Sequence, residues 1–155
     1  MNILAILQKC IPVRFAEAHC DIPCGIYDPI SAKIAAQTVL KMAVRLEAVE
    51  LPPKDVSTPN SVARYVTVKE EHAQLVKNEL NTLWSDYFKP EHLEKYPNLH
   101  ELVWKANKLA GTNKQNVNSE SAAQLVEAVD EIAKIFWATK GVDYDDDVST
   151  IRFGT

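Results

Sequence analysis

The sequence predicts an all-α fold, an antiparallel four-helix bundle entered through a short N-terminal loop. Three observations predict it. Apolar residues recur at three-or-four spacing through four segments, the eight prolines and four glycines punctuate those segments, and no strand-like alternation of useful length occurs. The chain has 155 residues, suited to one domain with a real core. Its composition, 46% hydrophobic and 25% charged, is that of a folded soluble chain rather than a disordered one or a membrane protein. Seventeen basic residues against twenty-one acidic ones give a net charge of −4, which argues against a general nucleic-acid binder.

The first helix is expected from about Ser31 to Glu50, with Ile34, Leu40, Val44 and Leu46 on its apolar face and Pro52-Pro53 as its stop. The second is expected from about Ser61 to Phe88, free of Gly and Pro, with Val62, Val66, Ala73, Val76, Leu80, Trp84 and Tyr87 on one face. The third takes Pro97 as its first helical residue, carries Leu99, Leu102, Val103 and Ala106, and ends at Gly111. The fourth starts at a Ser119 or Ser121 cap, carries Ala122, Leu125, Val129, Ile132, Ala133 and Phe136, and stops at Gly141. Four such helices with short connections pack as a bundle. Beyond Gly141, Asp143, Asp145, Asp146 and Asp147 suggest a solvated, mobile acidic tail over 141–155.

The three cysteines, Cys10, Cys20 and Cys24, all fall in the first 24 residues, which is no simple disulfide framework. Residues 1–18 read as a leader. Their longest apolar run, Ile3–Leu7, is five residues, too short for a signal-peptide core or a membrane span. The absence of a convincing export signal places the protein in the cytoplasm. The stretch ends Ala16-Glu17-Ala18, a small-x-small pattern that suits a processing peptidase, so a frayed extension and a removable leader both fit. Cleavage after Ala18 makes His19 the new N-terminus.

Between leader and first helix lies a hook, His19-Cys20-Asp21-Ile22-Pro23-Cys24-Gly25-Ile26-Tyr27-Asp28-Pro29, in which Pro23, Gly25 and Pro29 exclude a helix. One imidazole, two thiols and a carboxylate fall within six residues. The spacing is not that of common zinc sites. A metal site, a local Cys20–Cys24 disulfide and a redox thiol pair are all compatible with it. A freed His19 amine, with an ordinary pKa near ~8, readily yields its proton to a metal. That amine, the His19 ring, the Cys20 amide nitrogen and thiolate, and the Cys24 thiolate make a compact N/S set. Two nitrogens and two sulfurs in a plane suit Ni(II) or Cu(II) rather than tetrahedral zinc, with the imidazole as a weaker axial ligand to the oxidised metal.

His19–Pro29 resembles, in full, the hook of the nickel superoxide dismutases. Leu83-Trp84-Ser85-Asp86-Tyr87-Phe88-Lys89-Pro90, followed by His92, Glu94-Lys95-Tyr96-Pro97 and Leu99-His100, is similar to that family's bundle sequence, as is Ile135-Phe136-Trp137 with Thr139-Lys140. The resemblance spans roughly His19 to Lys140. It implies a precursor whose leader 1–18 is removed, a nickel hook over 19–29 and a four-helix bundle over 30–140, assembled as a homohexamer. It also implies one nickel ion per subunit, held by the His19 amine and imidazole, the Cys20 amide nitrogen and thiolate, and the Cys24 thiolate. Cycling between Ni(II) and Ni(III), that centre turns superoxide into dioxygen and hydrogen peroxide. The same resemblance gives Tyr27 the role of positioning small anions and water at the open face, and brings the Tyr87 hydroxyl towards the hook.

Asp21 and Asp28 read as supports of the loop, Asp28 through an Asx-type turn. Lys89 reads as a solvated lysine or a local attractor of superoxide. His92 and His100 read as helix-surface or interface residues. The chain departs from the family pattern at Ala35, where a glutamate is usual, and at His72, where an arginine is usual. Those two groups fix the axial imidazole in the family, so His72 is a candidate substitute partner; a packed histidine with one backbone hydrogen bond is the competing reading. A non-catalytic helical metal carrier or sensor using the same hook is the alternative function, and an interaction module with a Cys20–Cys24 disulfide is a third.

Overall fold

The computed structural model describes residues 25–53 and 55–154. The leader 1–18 and the hook residues His19, Cys20, Asp21 and Cys24 lie outside the described residues. Four long helices form the body: α1 (Ile30–Glu47), α2 (Ser57–Thr82), α4 (Leu99–Gln115) and α5 (Ser119–Thr139), with two short ones, α3 (Pro90–Lys95) and α6 (Ser149–Phe153). Helix α1 packs on α2 and α5, and α4 packs on the same two, which closes the four-helix bundle. Among the described residues, no helix is long and apolar enough to cross a membrane.

The expected faces of α4 and α5 are the buried ones: Leu99, Leu102, Val103 and Ala106 on one, and Ala122, Leu125, Val129, Ile132, Ala133 and Phe136 on the other. Helix α1 differs. It buries Ala32, Ala35, Ala36, Val39 and Ala43, a stripe at helical spacing made mostly of methyl groups, while Ile34 and Val44 stand 45% and 43% exposed. Small residues at a crossing let neighbouring helices approach closely, so burial here follows register rather than side-chain size. Val66, expected on the inner face of α2, is likewise 38% exposed.

The boundaries also shift for identifiable reasons. Helix α2 starts four residues before Ser61, because Pro59 falls in a first turn that needs no N–H from it, and the Asp55 carboxylate accepts from the N–H groups of Ser57 and Thr58. Helix α4 begins at Leu99 rather than Pro97 and continues through Gly111 to Gln115. A helical glycine costs only about 1 kcal/mol relative to alanine, and the buried Lys69 ammonium reaches over from α2 to the carbonyls of Asn113, Lys114 and Asn116. That cation sits where the helix dipole is negative and satisfies carbonyls the helix leaves open. The cap of α5 is Asn118, whose Oδ1 accepts from Ser121 N–H at 2.7 Å, rather than either serine. Gly141 ends α5 as expected, at φ 74°, with Val142 N–H bonded to the Trp137 carbonyl.

The acidic tail is not a solvated extension throughout. Residues 142–154 fold back on the bundle as a strap ending in α6. Asp146, with its side chain 7% exposed, pairs with Arg152 through two 2.8 Å bonds and with the buried Lys33 of α1 at 2.9 Å, while Lys33 also meets Asp130 of α5 at 2.7 Å. Gln37 donates to Ser149, and Tyr144 stacks on Trp137. Four aspartates in five residues suggest solvent from sequence; the cations that pair with one of them lie more than a hundred residues upstream or six downstream.

Candidate metal centre

The described chain begins at the end of the hook, where Gly25 takes φ 73°, a left-handed conformation that favours glycine. Asp28 then makes the expected Asx turn, its Oδ1 accepting from Ile30 N–H at 2.8 Å, and Lys33 N–H donates to the Pro29 carbonyl to open α1. The hook is thereby anchored to the first turn of a helix whose inner face is fully buried. A cleft of about 100 Å³ lies at this junction, with Tyr27, Asp28 and Ser31 on one side and Glu79, Thr82 and Leu83 on the other.

Across the cleft, α2 does not run on to Phe88 as an α-helix. It widens into a π turn, Leu83–Tyr87, closed by Phe88 N–H donating to the Leu83 carbonyl five residues back at 2.9 Å, and the chain leaves in an extended conformation at Phe88. Such turns recur at functional positions because one extra residue re-aims the side chains that follow. Here it presents Tyr87 to Tyr27, with ring centroids 5.6 Å apart. The Tyr87 ring also meets Phe136 of α5 at 4.4 Å and stacks on His92 of α3 at 5.5 Å and 20°. His92 in turn accepts the Lys89 N–H on Nδ1 at 3.2 Å and returns its own N–H to the Lys89 carbonyl. The Tyr87 hydroxyl is 2.5 Å from Thr139 Oγ1, and Lys140 Nζ lies 5.3 Å from the Tyr87 ring centroid, within cation–π range.

Of the residues singled out by sequence, the structure brings Tyr27 and Tyr87 together. It places Lys89 exposed beside them, between the π turn and α3. His72 sits half-buried on α2 with Nδ1 2.8 Å from the Val68 carbonyl; the carbonyl only accepts, so Nδ1 carries the hydrogen. Ala35 is fully buried on α1. His92 sits half-buried on α3 and stacks on Tyr87, while His100 lies exposed with its ring 5.0 Å from Trp84. Sequence reasoning gave no role to Thr139 or Lys140. Their signal was the block Ile135–Lys140, which carries Phe136, Thr139 and Lys140 together. Among the described residues, no group of three or more His, Cys, Asp or Glu could hold a metal ion.

A family model for nickel-containing superoxide dismutase matches residues 14–140. The chain belongs to the nickel-containing superoxide dismutases. It is 40% identical to "Superoxide dismutase [Ni]" of Streptomyces coelicolor over 129 residues, 83% of this chain and 93% of that one. The protein of the same name from Streptomyces seoulensis is 40% identical over 124 residues, 80% of this chain and 89% of its own. Among solved structures, a native nickel superoxide dismutase superposes with a TM-score of 0.71 at 38% identity, covering 80% of this chain and all of that one. One with the nickel ligation of the oxidised state superposes at 0.70 and 39%, with the same coverage. As a member of the nickel-containing superoxide dismutases, the chain is an oxidoreductase acting on superoxide, with nickel as its cofactor.

The donor set of the chain fits that metal. Soft thiolates and strongly donating deprotonated nitrogens stabilise the higher oxidation state of nickel, and His19, Cys20 and Cys24 carry groups of these kinds within six residues.

Proposed function

We propose that leader removal after Ala18 completes the active centre, with nickel held by the His19 amine and imidazole, the Cys20 amide nitrogen and thiolate, and the Cys24 thiolate. Hook 19–29 carries these donors in one contiguous stretch, and that stretch is the observation that carries the reading. When bound, nickel supplies one-electron exchange between its divalent and trivalent states, which takes two superoxides and two protons to dioxygen and hydrogen peroxide.

The chain's own residues do the rest. Cleavage converts the His19 nitrogen from an amide into an amine, a group that readily gives up its proton. Asp28 and the Pro29–Lys33 turn anchor the hook to α1, and Asp21 supports it from within. Tyr27 presents a phenol that hydrogen-bonds small anions and water where substrate approaches, and Tyr87 backs its ring. Lys89 and Lys140 add local positive charge on a chain that is acidic overall, which favours approach of an anion. His72, with Nδ1 committed to Val68, keeps Nε2 for support of the hook imidazole, in place of the family's usual arginine and glutamate.

The assembly in this reading is a homohexamer. Exposed Ile26 (73%), Trp104 (55%) and Ile151 (79%) supply apolar surface that subunit contacts would cover. The apolar run of the leader, five residues, is too short for an export-signal core, which supports a cytoplasmic location and a processing peptidase acting there in this reading. Mass spectrometry of protein from its native host tests the reading. It predicts a chain that begins at His19 and carries one nickel per subunit; a chain that retains Ala18 while holding nickel contradicts it.

A further inference from the structure

The hydrogens of the Tyr87–Thr139 pair can be assigned from the end of α5. Lys140 N–H donates to the Trp137 carbonyl, three residues back, at 2.9 Å, and the Phe136 carbonyl receives the Thr139 hydroxyl at 2.6 Å. A helix leaves its last carbonyls without intrahelical partners, and a carbonyl only accepts, so the Thr139 hydrogen is committed to Phe136. Thr139 Oγ1 is therefore the acceptor of its 2.5 Å contact with the Tyr87 hydroxyl, and Tyr87 is the donor. The chain of bonds runs one way, from Tyr87 through Thr139 to Phe136. With its only hydrogen spent, the Tyr87 oxygen faces everything else as a lone-pair acceptor.

We propose that Thr139 is a positioning residue of the dismutase: it fixes the Tyr87 phenol as an acceptor and fixes the ring against which Tyr27 rests. Phe88 meets that ring edge-on at 5.3 Å, and Lys140 Nζ lies 5.3 Å from its centroid. Phe136 packs it at 4.4 Å, His92 stacks on it at 5.5 Å, and Thr139 pins its hydroxyl; of these only the last sets the direction of a hydrogen bond. Tyr27, with its centroid 5.6 Å away, inherits the placement. The proposal rests on the reading of Tyr27 as the phenol that meets small anions.

The test uses processed, nickel-loaded protein carrying Thr139→Val, Thr139→Ser, Tyr87→Phe, or Thr139→Val with Tyr87→Phe. It reads kcat/KM for superoxide, nickel content, and the affinity for azide as a small-anion probe. Valine keeps the shape of threonine and removes the acceptor. It is expected to lower both kcat/KM and azide affinity by roughly three- to tenfold, the worth of one neutral hydrogen bond, at unchanged nickel content. Serine is expected to restore both, and Thr139→Val is expected to add nothing once Tyr87 is phenylalanine. A valine effect that persists in the Tyr87→Phe background, a serine loss equal to that of valine, or no valine effect overturns the proposal while leaving wild-type dismutation intact. Wild-type protein that holds nickel and neither dismutates nor binds azide defeats the reading of the site, and this proposal with it. In the metal-free full chain, a slowly exchanging hydroxyl proton resonance shared by wild type and Thr139→Ser, and lost in Thr139→Val, reports the bond independently of turnover.

Discussion

In the proposed centre, the difference between a nickel ligand and an inert group is one peptide bond at His19 and one sulfur atom at Cys20 and Cys24. Replacing either cysteine with serine exchanges a soft thiolate for a hydroxyl that stays protonated at neutral pH. Both Cys20→Ser and Cys24→Ser are expected to lose nickel and dismutation together. Helicity should persist, because α1 begins at Ile30 and the described core draws on residues from Ala32 onward. Metal analysis beside circular dichroism checks this; loss of helicity would instead favour a disulfide or structural-metal role. The candidate donors of the hook can be proposed from the sequence because they are contiguous, and they lie outside the described residues. The support of Tyr27 was legible only in part. Tyr87 and Thr139 lie 52 residues apart, and nothing in either helical stripe says that they meet.

Each helix was legible to the extent that its buried face was built from large apolar residues. Helices α4 and α5 follow that rule, whereas α1 buries alanines and leaves Ile34 in solvent. The π turn at Leu83–Tyr87 has no signature in a pattern of period 3.6, yet it aims Tyr87. The C-terminal strap lies beyond the family match, which ends at residue 140. Its key carboxyl, Asp146, is held by the Arg152 guanidinium and by Lys33 at a pKa of about 2, below the ordinary 3.8. Burial alone would lower the Lys33 pKa, but its bonds to Asp130 and Asp146 outweigh burial and raise it. A depressed carboxyl stabilises the fold fully above its unfolded value and loses that contribution as the pH falls through the folded one. Asp146 should therefore contribute about 2 kcal/mol at neutral pH, lost between pH 3.8 and about 2. Urea unfolding of Asp146→Asn should show that loss already at pH 7 and a flatter acid limb; an unchanged acid limb would contradict it. Lys69→Met is expected to cost about 2–3 kcal/mol in the same assay, since it strips the carbonyls at the end of α4 of a buried charged donor.

For the whole molecule, the proposed removal of Lys9, Arg14 and Glu17 with the leader would leave fifteen basic and twenty acidic residues, a formal balance of −5. A chain so processed would attract superoxide through local placement of cations such as Lys89 and Lys140 rather than through net charge. On the proposed processing, Cys10 would depart with the leader and leave two cysteines for the hook. In the proposed reading, processed and unprocessed forms share the bundle, the tyrosines and both hook thiols, and differ at the site by the state of the His19 nitrogen. Pulse radiolysis of the two forms after identical nickel loading is the most direct measurement of this account. It predicts rapid dismutation by the chain that begins at His19 and none above background by the chain that keeps Ala18. Full activity with Ala18 in place, or none from the loaded chain that begins at His19, would contradict it.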